Sequence, residues 1–330
     1  MAADGKAFEG KKVLVTGGLG FIGSNLAARL VGFGADVLLV DSLIPEYGGH
    51  LFNIRHIRDR VRVNISDVRD EHSMRYLVQG EDFLFNLAGQ TSHLDSMTDP
   101  YTDLEINARA QLSILECCRK YNPHLKIIFA STRQIYGKPD YLPVNENHPL
   151  RPVDVNGINK MAGECYHLLY HTVYGIRSCV LRLTNTYGPR MRIKDARQTF
   201  VGVWIRQLME DKPFEVWDGS QLRDFTYVDD AVDALLMAAG SDHVGGNVFN
   251  LGGDCVISLK DLADLLIEIH GGGEYVLRSF PPNRKQIDIG NYYADFSRIR
   301  DALNWRPTIS LREGLTRTLA FYREHLSRYV

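Results

Sequence analysis

The sequence predicts an α/β protein in which a doubly wound parallel sheet is followed by a smaller C-terminal part. Three observations support this fold class. Short apolar runs alternate with amphipathic stretches, a glycine-rich turn joins the first run to a helical pattern, and after about residue 188 the elements become shorter and richer in Pro and Gly. Alternation of strands and helices is typical of parallel sheets built from βαβ units.

The strands are predicted from continuous apolar runs rich in Val, Ile, Leu and Phe. Such runs suit strands that are buried on both faces, as in a parallel sheet covered by helices. They occupy residues 12–16, 36–40, 61–65, 83–87 and 125–130.

The helices are predicted from apolar spacing between these runs. Ile22, Leu26 and Leu30 recur every four residues, as one helix face requires. Two longer helical stretches cover 101–121 and 154–174. In such a fold, ligands bind beyond the carboxyl ends of the strands.

The domain prediction follows from where this alternation stops. We assign residues 1–187 to the sheet domain, together with a returning segment near 225–253, because 248–251 again has the character of a buried strand. Residues 188–330 are then mainly a second domain.

Composition and charge exclude several classes of protein. The 330 residues carry 38 Lys and Arg against 40 Asp and Glu, so a net charge of −2 gives no electrostatic case for nucleic acid or an anionic membrane. No apolar stretch is long enough to span a bilayer, and the polar N-terminus lacks a signal-peptide core. Five cysteines without metal-type spacing predict reduced thiols, a cytoplasmic protein and no metal.

The glycine-rich turn predicts a dinucleotide site. Residues 16–24 read TGGLGFIGS, which holds the spacing G-x-G-x-x-G between a strand and a helix. Glycines leave room for a pyrophosphate, and the helix N-terminus offers unpaired N–H groups to its charge. The residues expected at the cofactor are Gly17, Gly20, Phe21, Ile22 and Gly23.

Residues that follow the next strands fit the same cofactor. Asp41 ends the second strand, where a carboxylate accepts hydrogen bonds from ribose hydroxyls and repels a 2′-phosphate, so NAD is favoured over NADP. Asp67 and Val68 follow the third strand, where they would meet the adenine. The small residues after the fourth strand would lie against the ribose, and they are Leu87, Ala88 and Gly89.

These motifs resemble the extended short-chain dehydrogenase/reductase family, in its branch of NAD-dependent nucleotide-sugar epimerases and dehydratases. The resemblance covers nearly the whole chain and implies a Rossmann fold. Residues 90–100 (QTSHLDSMTDP) are similar to the family's loop over the nicotinamide. Residues 131–137 (STRQIYG) are similar to the motif that carries its catalytic Ser or Thr, which implies that role for Thr132.

Later motifs are similar to the sugar-nucleotide branch in particular. Residues 181–190 (LRLTNTYGPR) and 221–230 (QLRDFTYVDD) resemble its phosphate-binding motifs. Arginines and an Asn amide form a charge-assisted cradle for a diphosphate. The residues that the resemblance places at the substrate are Gln134, Asn185, Gln198, Arg223 and Arg284.

One position departs from the family pattern. The family carries Tyr-x-x-x-Lys on the helix after the fifth strand, whereas this chain has Asn156 and Lys160 there. The resemblance implies a catalytic position for both residues and a contact of Lys160 with the cofactor. In the family, the Tyr takes the proton of the sugar hydroxyl, and an Asn amide does not titrate near neutral pH.

Another group must therefore accept the proton, unless the chain does not turn over. His93 lies in the loop over the nicotinamide, and an imidazole is chemically suited to accept a proton near neutral pH. Lys160 could act through a water, and Tyr136 is a third candidate. Thr132 is too weak an acid to be the sole base, and binding without catalysis stays open.

The reaction is predicted from what the residues lack. The family's dehydratases carry Asp and Glu after the catalytic Thr, and its decarboxylases carry a Glu at the Gln134 position; this chain has Arg133 and Gln134. Epimerisation needs no such acid, so we expect a 4-epimerase of an NDP-hexose, with a UDP-hexose favoured. CDP-sugar 2-epimerisation, 4,6-dehydration or decarboxylation, and a non-catalytic NAD or sugar-nucleotide-binding protein are the alternatives.

The resemblance also implies a homodimer. Family members pair through their two long helices in a four-helix bundle, here 101–121 and 154–174. Their apolar residues could serve the core or an interface, and they are Leu104, Leu112, Leu115, Met161, Leu168 and Leu169.

Overall fold

A seven-stranded parallel sheet forms the centre of the computed structural model, which describes residues 3–197 and 199–330. Its strand order is β10-β6-β5-β4-β1-β2-β3, and each neighbouring pair is parallel. The strands are β1 (Lys12–Thr16), β2 (Asp36–Asp41), β3 (Val61–Ile65), β4 (Phe83–Asn86), β5 (Lys126–Thr132), β6 (Arg177–Leu183) and β10 (Val248–Asn250).

This order confirms the predicted doubly wound sheet. The chain proceeds outward from β1 to β3, then returns to β4 on the other side of β1. The point where the order reverses lies between β1 and β4, and crevices at such points bind ligands in this class of fold. β10 adds a seventh strand beside β6, which agrees with the strand expected at 248–251.

Helices cover both faces of the sheet. Those of the first half are α1 (Phe21–Gly32), α2 (Glu71–Leu77), α3 (His93–Thr98), α4 (Pro100–Leu104), α5 (Ala110–Tyr121) and α6 (Val155–Tyr174). Those of the second half are α7 (Phe200–Met209), α8 (Val228–Gly240), α9 (Leu259–His270), α10 (Pro282–Lys285), α11 (Ser297–Leu303) and α12 (Leu311–His325).

The predicted long helices occur with one irregularity. α4 and α5 are joined by a π-helical turn, Glu105–Arg109, so that 100–121 is one helical segment with a wide turn in it. Such turns recur at functional sites because they re-aim side chains inward. α6 begins after Asp154, whose carboxylate accepts the Gly157 N–H at 2.6 Å, and ends at Gly175 in the left-handed region.

Two small sheets stand outside the main one. β7 (Asn185–Tyr187) pairs in parallel with β9 (Leu222–Tyr227), and β11 (Val256–Ser258) pairs with β9 in the antiparallel sense. β8 (Phe214–Trp217) and β12 (Tyr275–Arg278) form a parallel pair.

The core consists of two main layers separated by the sheet. Val13 and Val15 on β1 pack with one cluster, and Leu14 packs with the other, because successive side chains of a strand point to opposite faces. α1 and α8 contribute to the first cluster, and α2 and α5 to the second. Buried on both faces, the sheet holds its carboxyl ends in fixed positions.

Two kinds of feature are absent from the described residues. Across 3–197 and 199–330, none of the helices combines the length and the apolar character needed to cross a membrane. In the part of the chain that the structure describes, no cluster of His, Cys, Asp or Glu could hold a metal ion. Each of the five cysteines is free.

Candidate active site

A cavity of about 870 Å³ lies at the carboxyl ends of β1, β2, β4 and β5, extending toward β7 and β9. Its size is within the range of small-molecule sites. Each residue predicted at the cofactor lines it: Gly17, Gly20, Phe21, Ile22, Gly23, Asp41, Asp67, Val68, Leu87, Ala88, Gly89 and Lys160. The remaining predicted residues on its walls are His93, Thr132, Gln134, Asn156, Asn185 and Arg223.

Two predicted substrate residues cannot be placed. Gln198 lies outside the described residues. Arg284 belongs to α10, and its side chain lies outside what the structure describes. Both stay predictions.

The glycine-rich turn is shaped by close backbone contacts. Gly17 has a φ of +66°, and a Cβ there would lie 3.0 Å from the Ala88 nitrogen; a Cβ on Gly23 would lie 2.2 Å from the Gly17 oxygen. α1 starts from Gly20, and no side chain caps it. Its first N–H groups therefore remain available for an anion.

Asp41 is fixed by the backbone around it. Oδ2 accepts the Leu19 N–H at 3.0 Å, and Oδ1 accepts the Leu43 N–H at 2.9 Å. Burial raises the pKa of Asp41, although these two hydrogen bonds oppose the shift. Each carboxylate oxygen can accept a second hydrogen bond, so Asp41 can hold ribose hydroxyls. The glycine cradle and this carboxylate together fit NAD.

The carboxylate of Asp67 is paired with the neighbouring Arg69 side chain. Its oxygens accept from Arg69 Nε at 3.0 Å and Nη2 at 2.6 Å. Burial opposes ionisation, but the bonds from Arg69 prevail and hold the pKa of Asp67 below its usual range.

Asn156 sits in a buried cluster of amides around one carboxylate. Its Nδ2 donates to the Gln90 carbonyl at 2.8 Å and to Asp103 Oδ2 at 3.0 Å. The fully buried Asp103 also accepts from Asn107 at 3.1 Å and from Asn159 at 2.8 Å. The cluster fixes the Asn156 side chain through its donor atom.

Lys160 lies one turn further along α6, against Gly89. Its Nζ donates to the Ala130 carbonyl at 3.3 Å and lies 5.2 Å from the centre of the Phe129 ring. Burial lowers the pKa of Lys160 to about 8, and the charge of Asp103 opposes this shift. A Cβ on Gly89 would lie 2.8 Å from Nζ, so the glycine leaves room for the ammonium.

His93 faces a carboxylate that the sequence analysis did not single out. Its Nδ1 lies 2.9 Å from Asp154 Oδ2, a distance for an ion pair, although the ring N–H is not aligned for a regular hydrogen bond. Gln134 Nε2 donates to the same oxygen at 2.8 Å. The Gln134 backbone N–H donates to Thr132 Oγ1 at 3.2 Å, so one chain of contacts joins His93 to Thr132.

The environment of Asp154 favours its charged form. Burial works against ionisation, yet the contacts with His93, the Gly157 N–H and the Gln134 amide hold the pKa of Asp154 below its usual range. Asp154 also caps α6, because its carboxylate accepts the Gly157 N–H. Its second contact, with a residue 61 positions earlier, has no local signature.

Two arginines and an amide line the wall near β7 and β9. Arg133 Nη2 donates to Asn185 Oδ1 at 2.7 Å, and Asn185 Nδ2 donates to the Asp224 carbonyl at 2.9 Å. Arg223 Nη2 lies 3.3 Å from Asp288 Oδ1. Burial and then the nearby Arg133 lower the pKa of Arg223 to about 10. Two adjacent cations, the buried Arg223 and the half-buried Arg133, suit a diphosphate.

Tyr136 is excluded as a proton acceptor at this site. It is fully buried outside the cavity wall, its hydroxyl donates to Asn250 at 2.6 Å, and Arg182 donates to it at 2.5 Å. Burial raises the pKa of Tyr136 to about 12. Tyr136, the third candidate base, is therefore not suited to that role.

Comparison with known proteins agrees with this geometry. The sequence profile described as "NAD dependent epimerase/dehydratase family" matches residues 13–252. A Methanocaldococcus jannaschii protein provisionally named UDP-glucose 4-epimerase is 32% identical, with 95% of this chain and 99% of that protein covered.

Two solved structures extend the comparison. UDP-glucose 4-epimerase of Thermotoga maritima with UDP-glucose has a TM-score of 0.87 and 30% identity, covering 96% of this chain and 99% of that one. UDP-glucuronic acid 4-epimerase of Bacillus cereus, in complex with UDP-glucuronic acid and NAD, has a TM-score of 0.84 and 29% identity, covering 95% and 99%.

Proposed function

The chain belongs to the NAD dependent epimerase/dehydratase family, and on that premise we propose that it is an isomerase acting at C4 of an NDP-hexose, with a UDP-hexose favoured. One observation carries the proposal. A single cavity is lined by the dinucleotide cradle, by Thr132 and Lys160, and by the two arginines Arg133 and Arg223. The similar proteins named for 4-epimerisation of UDP-sugars support it.

The residues of this chain divide the work of binding and orientation. NAD, when bound, supplies reversible acceptance of a hydride from the sugar carbon. Gly17, Gly23 and Asp41 would bind its pyrophosphate and ribose, and the ammonium of Lys160 would lie near the nicotinamide ribose. Arg223 and Asn185 would hold the substrate diphosphate, which places the hexose beside Thr132.

The choice of epimerisation rests on the two residues after Thr132. Arg133 and Gln134 occupy the cavity wall there, and neither can serve as a carboxylic acid or base for elimination. Asp154, the carboxylate nearest to Gln134, has a side chain that is 0% exposed. A transient keto-sugar can return to either epimer without an additional acid, which is the least demanding reaction for this wall.

Asn156 is proposed to stand where the family carries its proton-accepting Tyr. Its position four residues before Lys160 and its place on the cavity wall support this. Because of this substitution, one alternative to an enzyme remains open: a protein that binds NAD and a sugar nucleotide without turnover.

Sugar interconversion tests the proposal. The purified protein is incubated with UDP-glucose and separately with UDP-galactose, and the products are resolved by chromatography. Formation of the other epimer from each sugar is expected. If NAD and the nucleotide sugar bind but neither UDP-hexose nor a CDP-hexose is converted, the binding protein is the better account. Conversion of the CDP-sugar alone at C2 favours the 2-epimerase alternative.

We also propose a homodimer through the two long helical segments. Leu104 and Leu169, together with Tyr101 and Val173, are 43–78% exposed on these helices. Leu115 is fully buried and belongs to the core. Such exposed apolar side chains on neighbouring helices suit a bundle with a second copy. Sedimentation of a monomer at micromolar concentration would contradict the dimer.

The domain division is likewise proposed: residues 1–187 with a returning segment near 225–253 for NAD, and mainly 188–330 for the nucleotide sugar. The membership of β10 in the main sheet supports the returning segment.

A further inference from the structure

The loss of a Tyr at position 156 leaves the proposed reaction without its usual proton acceptor. The amide nitrogen of Asn156 is bound to the Gln90 carbonyl and to Asp103, and an amide cannot take a proton near neutral pH. The inference below rests on the proposed function, because it concerns the same hexose hydroxyl.

The strongest group left on the cavity wall is His93. It is the first residue of α3, and the structure leaves 38% of its side chain exposed. Nδ1 is turned to Asp154, so Nε2 is the nitrogen that remains for a ligand. Among residues 3–197 and 199–330, Nε2 makes no hydrogen bond, and His93 lines the cavity.

The carboxylate of Asp154 is fixed in a position that orients the His93 ring. Its carboxylate has no exposed surface, and its position is fixed by the Gly157 N–H at 2.6 Å and the Gln134 amide at 2.8 Å. A buried carboxylate against one ring nitrogen orients an imidazole and stabilises the imidazolium that forms when the other nitrogen takes a proton.

The location of the pair agrees with this use. Asp154 precedes Asn156 by two residues at the start of α6, and the residue before His93, Ser92, accepts a hydrogen bond from Gln90 at 2.9 Å. Gln90 is also the residue that binds Asn156. Gln90 therefore links the residue before His93 to Asn156.

We propose that His93 is the catalytic base that replaces the tyrosine and that Asp154 is its positioning residue. The O–H bond of the hexose 4-hydroxyl breaks as its proton passes to Nε2, and the electron pair of the adjacent C–H bond leaves with hydride to oxidised NAD. The sugar becomes a ketone. In the return half, the hydride is restored to the carbon on the opposite face, and Nε2 gives the proton back to the oxygen.

The other titratable groups on the wall are less suited. Lys160 is bound to the Ala130 carbonyl and is buried against Phe129 and Gly89. Asp95, on the same helix as His93, is paired with Arg197 at 2.7 Å. Asp154 is the charged group in contact with the imidazole. The charged groups that share the cavity wall with His93 are Asp41, Asp67, Asp95, Arg133, Lys160, Asp195, Arg197, Glu215, Arg223 and Asp288.

The test compares His93→Gln, Asp154→Asn and the restoring variant Asn156→Tyr. His93→Gln is expected to lower kcat by about 10²–10⁴-fold, the usual contribution of a general base, while NAD and nucleotide-sugar affinities stay within about threefold. Adding Asn156→Tyr to His93→Gln is expected to raise kcat again by at least about tenfold. His72→Ala, an exposed histidine on α2 outside the cavity, is the matched control.

A readout that needs no turnover tests the pair itself. Asp154→Asn is expected to change the nitrogen NMR signals of the His93 ring, because a neutral amide replaces the carboxylate that lies 2.9 Å from Nδ1.

The outcomes separate this inference from the proposed function. If the wild type converts sugars and His93→Gln keeps kcat within about threefold, His93 is not the base, whereas the proposed epimerase activity is supported. If the wild type converts no sugar, the proposed function fails, and unchanged His93 nitrogen signals in Asp154→Asn then overturn the proposed pair as well.

Discussion

Replacing Asp41 by Asn is expected to weaken the binding of NAD and to allow the binding of NADP. The carboxylate accepts two backbone N–H groups, from Leu19 at 3.0 Å and from Leu43 at 2.9 Å, and has lone pairs left for the ribose. Asn can supply only one oxygen, so its amide nitrogen must face a backbone donor or turn toward the cofactor.

The magnitude follows from these contacts. A hydrogen bond to a charged group contributes about 1.5–3 kcal/mol, so weakening the ribose contacts should lower NAD affinity by about 10- to 100-fold. A unit charge pair 4 Å apart in a partly buried site costs about 4 kcal/mol when the charges are alike. Removing the carboxylate charge should therefore shift the NADP-to-NAD preference by at least about 100-fold.

The assay is titration calorimetry of protein stripped of cofactor. Asp36→Asn is the matched control, because Asp36 lies at the opposite end of the same strand and pairs with Arg62 at 3.1 Å on the surface. An Asp41→Asn protein that melts like the wild type, binds NAD within twofold and still rejects NADP would refute the role given to this carboxylate.

Three further predictions concern the site and the stability of the fold. Arg133→Gln should weaken nucleotide-sugar binding by about 10- to 100-fold and leave NAD affinity unchanged, as calorimetry would show, because one charged contact to the substrate is lost; equal losses for both ligands would contradict it. Gly89→Ala should lower kcat by about 100-fold in an interconversion assay, since its Cβ would lie 2.8 Å from Lys160 Nζ and displace it; an unchanged rate would show that the lysine can move without effect. Burial raises the pKa of Glu81 from 4.5 to about 7, so the folded protein holds this proton more tightly than the unfolded chain. The stability that the protonated group contributes is full below about pH 4.5 and is lost as the pH rises through about 7; Glu81→Gln should thus raise the free energy of unfolding by roughly 1–3 kcal/mol at about pH 8 and change it little at about pH 4, and urea curves that differ equally at both pH values would oppose this.

The sequence was sufficient for the elements whose signals are local. The five apolar runs of the first half became β1 to β5 with ends within two residues of the prediction, because a doubly covered parallel sheet leaves a continuous apolar signature. The glycine turn and Asp41 could be placed at the cavity because each lies at the carboxyl end of a strand that the sequence predicts.

The parts that escaped sequence analysis depend on contacts between distant residues. Asp154 has the sequence character of a helix cap, and nothing near it indicates that His93 lies 2.9 Å away. Arg133 was noted only as the absence of a carboxylate, whereas the structure joins it to Asn185, 52 positions later. The burial of Leu115 and the exposure of Leu169 were not separable either, since helical spacing does not say what covers each face.

Redox change during a single turnover tests the central claim most directly. Purified protein carrying NAD is mixed rapidly with an excess of UDP-hexose, and the near-ultraviolet absorbance of NADH is recorded while samples are quenched for sugar analysis. The account predicts a transient rise of NADH that decays as the second epimer accumulates. The absence of both an NADH signal and a second hexose, while NAD and the sugar nucleotide are both bound, would contradict it.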